Sequence, residues 1–516
     1  MAKTLTYKPL DNIGINGLNT QTNPSSLDST WLTKAENVVI RESGRVSSRK
    51  GLKQAVLKTS AKIGSMVEHK YGVYSKVMAS VGDTIYTVDF TAPDAAFTAG
   101  HTVSGAGDDW QFINFNRRLY GIQGDSTPVE YNSGTWSNTT TKPSSVTTFD
   151  PSCGTGYYGR LWVGGVAETR DVLYYSDTLL GTTWTGGSSG YIDLKTVWGT
   201  DDIVAVAPFY GQLVIFGKRN IAIYSNPHDP SNMALTEVIR GVGCVSRDSV
   251  QAIGDDLIFL SSTGLRSLAR TTELDKVPLS DYSLNIKDTL IRNISQSTNI
   301  KSVYVENEGV YVMSFVDLNI TYVFDMKYFT PNKAPRVTMW NFDADRQPSN
   351  LVYTDSKGFL IGQKLGSIAT YEGYYDADYV SGGSYTNNSY TSSFRSVWID
   401  LGDSVVASLL KRLKFVIEGG SGANLGIKWY KDFNPTPSKI TTMMLNPTTT
   451  GVTALWGGSS ALYGTSKFTP VYALKEYNAS LTGSAKHIQI EMDIESNGKV
   501  ASLQDLTLLH KQGKIR

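Results

Sequence analysis

Cysteine is nearly absent: Cys153 and Cys244 are the two in 516 residues. Two cysteines cannot frame a disulfide-stapled fold, and there is no Cys-X-X-Cys pair to hold zinc. Histidine is scarce too. His69, His101, His228, His487 and His510 are scattered, without metal-ligand spacing. Charged residues make up 18% of the chain, below the usual ~25%. They balance: 48 Lys and Arg against 47 Asp and Glu, a formal net charge of +1. A dedicated nucleic-acid binder carries a basic excess, so that class is excluded at the level of the whole chain. Long apolar runs are also missing. The longest, near residues 203–216, is broken by Pro208 and Gly211 and is too short to span a bilayer. The opening Met1-Ala2-Lys3-Thr4-Leu5-Thr6-Tyr7 lacks an apolar signal core. The expectation is a soluble protein made in a reducing cytoplasm.

What the chain has in quantity is glycine (48), tyrosine (29), serine and threonine. That balance suits sheets and turns rather than helices or disorder. The stretch from Tyr157 to Arg270 makes the pattern plain. Gly159-Arg160-Leu161-Trp162-Val163, Gly211-Gln212-Leu213-Val214-Ile215-Phe216 and Asp255-Asp256-Leu257-Ile258-Phe259-Leu260 each follow a turn and a preceding apolar run. The same strand–turn–strand cell recurs upstream around Ile85 and Leu119, and downstream around Val310 and Phe359. The first apolar residues after the turns are Ile85, Leu119, Leu161, Leu213, Leu257, Val310 and Phe359, at intervals of 34, 42, 52, 44, 53 and 49. Degenerate repeats of roughly 40–50 residues, each with about four strands, predict a β-propeller, because one such blade cannot cover both of its faces alone. The alternative is an irregular β-sandwich that happens to be rich in hairpins.

The fold class is therefore all-β: a degenerate six- or seven-bladed β-propeller over residues 61–375, with different segments on either side. Residues 1–60 read as an extended N-terminal arm. It is polar and glycine-punctuated, ends in a basic hairpin-like stretch, and must lie on the rest of the protein or on a neighbour. Residues 376–516 read as a separate antiparallel β-sandwich domain. Leu413, Phe415 and Ile417 share one face of a strand there, and 425–430 and 487–494 alternate in the same way. One helix is expected, capped by Leu279-Ser280 and carrying Leu284, Ile286, Leu290 and Ile291.

The leader carries a pattern of its own in Gly17-Leu18-Asn19, Ala35, Asn37-Val38, Gly44-Arg45-Val46, Arg49 and Gly51-Leu52. Gly159-Arg160-Leu161-Trp162, Tyr175-Ser176-Asp177, Trp184, residues 203–209, Gly243 with Ser246, and Phe259-Leu260-Ser261-Ser262-Thr263-Gly264 follow in order. This succession over residues 12–300 resembles the tail nozzle and portal-stabilisation (tail tubular) proteins of short-tailed bacteriophages. The resemblance implies a structural virion protein of the viral tail, made in the host bacterial cytoplasm. It implies a homohexamer below the head-to-tail connector (adaptor) protein, in contact with tail fibre or spike proteins. Double-stranded DNA would be retained and then pass transiently during ejection. No enzyme activity, cofactor, metal or small-molecule substrate is implied.

Candidate chemistry is sparse. Ser176-Asp177 with Gly181 and Trp184 is similar to the Asp-box of sialidase propellers, but the Asp-to-Gly spacing differs and only one copy is present. Such boxes stabilise turns. Gly419-Gly420-Ser421-Gly422 lacks the Gly-Lys-Ser/Thr ending of a phosphate loop and reads as a hairpin turn. The residues with most to offer a partner are the basic tip Lys218-Arg219 and the acidic tip Asp255-Asp256, as loops that narrow a channel or touch a partner. Arg45, Arg49 and Lys50 are the matching candidates in the arm, for subunit contact. A glycan-binding or glycan-cleaving propeller on a virion or cell surface is the rival expectation, and a cytosolic interaction scaffold the third.

Overall fold

A computed structural model of the chain describes residues 5–41, 44–57, 59, 61–72, 74–269, 281–402, 406–445 and 474–513. Strands hold 53% of the described residues and helices 7%, so the all-β class and the propeller are as expected. Four consecutive four-stranded antiparallel meanders occupy residues 63–102, 111–138, 153–193 and 203–240 (blades 1 to 4). Blade 5, residues 251–267, has three described strands. Blade 6 spans 300–340. Blade 7 consists of three strands in 348–371 and takes its fourth, Leu52–Gln54, from the N-terminal segment. Neighbouring inner strands pack side by side around the ring, and Ile63–Tyr71 of blade 1 lies against Pro348–Thr354 of blade 7.

Radial stacking explains the apolar run near 203–216. A strand covered on both faces need not alternate apolar with polar. Leu213 and Ile215 join a cluster with Trp162 and Leu173 of blade 3. Val214 and Phe216, one residue out of phase, join Leu257 and Phe259 of blade 5. Six of the seven residues used to measure the repeat fall on the second strand of a blade. Ile85 does not: it lies on Thr84–Val88, the third strand of blade 1. The equivalent position is Ser75, on Tyr74–Val81, 44 residues before Leu119 (119 minus 75). The short first interval of 34 was a slip of one strand and not a short blade.

The segments outside the ring are interwoven. One sheet joins Thr6–Pro9, Val38–Ile40 and Val46–Ser48 to the C-terminal strands Ser408–Gly419, Leu474–Ser480, Ser484–Ala485 and Ala501–Gln512. The other runs without a break from blade 6 outward. Pro335–Trp340 pairs in parallel with Gly17–Leu18, then come Trp31–Glu36, Thr391–Ser396, His487–Glu495, Asn424–Lys431 and Lys439–Met444. Gly17 has φ +79°, and a Cβ there would sit 2.7 Å from the Val337 carbonyl oxygen. A side chain would therefore pry the leader off blade 6.

The arm lies on its own chain and not as a free extension. It also denies residues 376–516 a core of their own. Phe415, Trp429 and Ile490 share one buried cluster with Leu18 and Leu32 of the leader and with Leu260, Phe324 and Val337 of blades 5 and 6. The expected helix is present as Lys287–Gln296, with Leu290 and Ile294 buried. Leu279 and Ser280 lie outside the described residues.

Candidate functional site

Each of the three arm cations pairs with a carboxylate of its own chain. Arg49 is wholly buried. Its Nη1 and Nη2 donate to the two Asp376 oxygens at 3.1 and 3.0 Å, and its Nε donates to Asn37 Oδ1 at 3.0 Å. The guanidinium lies over the rings of Tyr390 at 4.0 Å and Phe342 at 4.9 Å. The expectation that Arg49 contacts another subunit is corrected, because it has no surface to offer. Lys50 pairs with Glu308 and sits over Tyr371. Arg45 pairs with Glu418 at 3.0 Å. Asn37, at φ +54°, also donates to the Thr391 carbonyl at 2.9 Å. Gly51 passes so close to Tyr375 that a Cβ would stand 1.8 Å from its carbonyl oxygen. These leader positions weld blade 7, blade 6 and the C-terminal sheets together.

The two tips named for a channel lie at opposite ends of the propeller, so they cannot form one constriction. Lys218-Arg219 links the second and third strands of blade 4, while Gly254-Asp255 links the first and second strands of blade 5. In an antiparallel meander those turns face opposite ways. The basic tip is held firmly. Asp201 accepts from the Lys218 and Arg219 amides at 3.1 and 2.9 Å, and Lys218 Nζ pairs with Asp202 at 2.7 Å. Asp256 is structural: it accepts from the Leu257 and Ala269 amides and from the Ser267 and Tyr282 hydroxyls.

At the end that carries Lys218, a charged network crosses the ring. Lys301 on the inner strand of blade 6 pairs with Asp109, at the entry to blade 2, and with Asp248 at 2.7 Å. Arg247, at the entry to blade 5, pairs with Asp109 at 3.0 Å and donates to the Ser152 carbonyl at the entry to blade 3. These blades are not all neighbours, so the network bridges the propeller axis. A recess of about 440 Å³ opens beside it, lined in part by Asp125, Arg170, Asp202 and Lys218.

At the other end, two features escaped sequence reading. Tyr158 and Tyr210 occupy the first turn of blades 3 and 4 with φ +44° and +46°, each followed by a left-handed glycine. Tyrosine is rarely found there, where Asn-Gly is the usual pair. Both rings are exposed. The neighbouring Asp255 carboxylate raises the pKa of the Tyr210 hydroxyl. The signal was Tyr-Gly between two apolar runs, which reads as an ordinary turn unless its handedness is known.

Asp177 behaves as a loop brace. Its carboxylate accepts from the Thr178 and Ser188 amides at 2.8 and 3.0 Å and from the Ser188 hydroxyl. Trp184 is buried against Phe149. Burial raises the Cys153 thiol to about 12 and the Cys244 thiol to about 11, so neither is a ready nucleophile. Among the described residues no group of three or more His, Cys, Asp or Glu is placed to hold a metal ion.

A cleft of about 600 Å³ lies between the leader hairpin, blade 6 and blade 7. Its floor is Val305, Val323, Trp340 and Phe359, and Arg41, Lys50 and Lys327 stand on its rim.

No protein-family profile matches the chain, and no curated protein matches it. Among solved structures it is similar to the β-propeller domain of Cps50 (Swd1) from Myceliophteria thermophila, with TM-score 0.38 and 8% identity over 60% of this chain and 97% of that one. The WD40 β-propeller domain of Doa1 gives TM-score 0.36 and 10% identity over 62% and 96%. PorZ, a surface component of the type-IX secretion system of Porphyromonas gingivalis, gives 0.38 and 14% over 69% and 44%. By its own strand order the chain is a β-propeller.

Proposed function

We propose that the chain is a structural protein of a short-tailed phage virion, forming a nozzle ring that retains the packaged genome and conducts it on ejection. The observation that carries this is the job done by the leader. The residues that bear the resemblance, Gly17, Asn37, Arg49 and Gly51, are the ones that lock propeller and C-terminal sheets into one body. A ring wall under the pressure of packaged DNA needs that rigidity. The network across the propeller axis supports a conduit between subunits and not through each propeller. Six copies of 56.4 kDa make a ring of about 338 kDa. The adaptor would sit above it and fibres or spikes at its flank, with no catalytic role for the chain. Retention is steric: a wall with 48 basic and 47 acidic residues has no net grip on phosphates.

The test is a symmetry-free reconstruction of purified virions that contain this chain. The expected result is six-fold symmetry at its layer. Its absence from the particles, or another symmetry there, overturns the proposal. Sub-micromolar duplex DNA binding at physiological salt, with a steep salt dependence, would replace the passive conduit by an electrostatic clamp.

The exposed Tyr158 and Tyr210 rings favour a second reading, glycan binding at that end of the propeller. A glycan array distinguishes the two: specific binding lost in Tyr158→Asn and Tyr210→Asn would favour it.

A further inference from the structure

We infer that the cleft between the leader hairpin and blades 6 and 7 is a docking site for an acidic peptide segment that carries one apolar side chain. This does not depend on the tail assignment. Two observations point to a ligand and to its chemistry.

The first is the apolar floor. Trp340 lines the cleft, 3% exposed, and stacks on Tyr371 with centroids 4.8 Å apart, beside Val305, Val323 and Phe359. Such a surface suits an apolar side chain.

The second is charge. Of the cations around the cleft, Lys50 is matched by Glu308 and Arg336 by Asp325. Arg41 and Lys327 have no carboxylate partner among the described residues, and both are exposed. The site therefore has an apolar floor and an excess of two positive charges at its mouth. That combination fits an aliphatic or aromatic side chain flanked by carboxylates. It fits a neutral ligand or a basic peptide poorly. A volume of about 600 Å³ is within the roughly 300–1,000 Å³ of sites that enclose a small ligand or a few residues.

The experiment uses the full chain and three probes: a blocked tetrapeptide of one phenylalanine and three glutamates, its lysine counterpart, and a thymidine dinucleotide. Binding is read by calorimetry in low salt. The acidic peptide is expected to bind, and the lysine peptide not to. Lys327→Glu and Arg41→Glu, both at exposed positions, should each weaken binding about tenfold, the loss expected of one charged contact. The inference is overturned if no probe binds, if both peptides bind alike, or if the charge variants bind as the parent does. Preference for the dinucleotide would assign the cleft to nucleic acid instead.

Discussion

Arg49 and Asp376 stand 327 positions apart in the chain and meet as a two-pronged ion pair shut away from water, with side-chain exposures of 0 and 2%. The same carboxylate accepts the Leu52 amide at 2.9 Å, at the start of the strand that completes blade 7. Removing one partner leaves the other charge buried and unmatched. Arg49→Ala should lower stability by about 3–5 kcal/mol. Arg49→Lys should recover only part, since an ammonium cannot reproduce the planar fork. Urea denaturation measures both. A loss below about 1 kcal/mol for the alanine variant would put the pair on the surface and not in the weld.

Phe415 lies in a core shared by the leader, the C-terminal sheets and blades 5 and 6. Phe415→Asp buries an unpaired charge there, at a cost of several kcal/mol. Limited proteolysis should then cut within 251–340 as well as within 408–512. If 251–340 stays resistant while the C-terminal strands are digested, the two cores are separable after all.

Tyr158 and Tyr210 hold backbone conformations that bulky side chains avoid. Tyr158→Asn and Tyr210→Asn should leave the melting temperature unchanged or raise it, relieving strain of roughly 1 kcal/mol per site. A clear fall in either would mean that the rings brace the turns, and would weaken any case for a binding role at that end.

Glu491 is 2% exposed. Burial raises its pKa, but hydrogen bonds from Tyr430 and Arg395 and the charges of Arg395 and Lys34 outweigh that and hold it at about 2. A carboxyl depressed in the folded state stabilises the protein above its unfolded pKa of ~4.3. That contribution fades as the pH falls from there towards 2. The melting temperature should therefore drop through this window, and Glu491→Gln should flatten that part of the curve while lowering stability at neutral pH. An unchanged acid profile in the variant would show that other groups govern it.

Much of the ring was legible because its signals are local. Turn residues flanking short apolar runs mark Leu161, Leu213 and Leu257 wherever strands are neighbours in sequence. The slip at Ile85 came from the same source, since a third strand after Gly82-Asp83 looks like a second one. What joins distant segments left no local trace. Arg49 reads as a surface cation until Asp376, Tyr390 and Phe342 are brought round it. Leu52–Gln54 is too short to announce which blade it completes. The cleft over Trp340 draws on three separate stretches of chain, and no single window of sequence contains it.

The strand that completes blade 7 also sets a clock. Gln54 pairs with Ala369, which leaves the ribosome 315 residues later (369 minus 54). At ~5–20 residues per second, that is a wait of about 15–60 s during synthesis. Throughout it the growing propeller is an open arc with an uncovered apolar blade face at each end, the kind of surface on which other nascent chains can aggregate. A defect in Leu52 or its partners would therefore show itself first as poor recovery of folded protein from cells, before any change in the finished molecule.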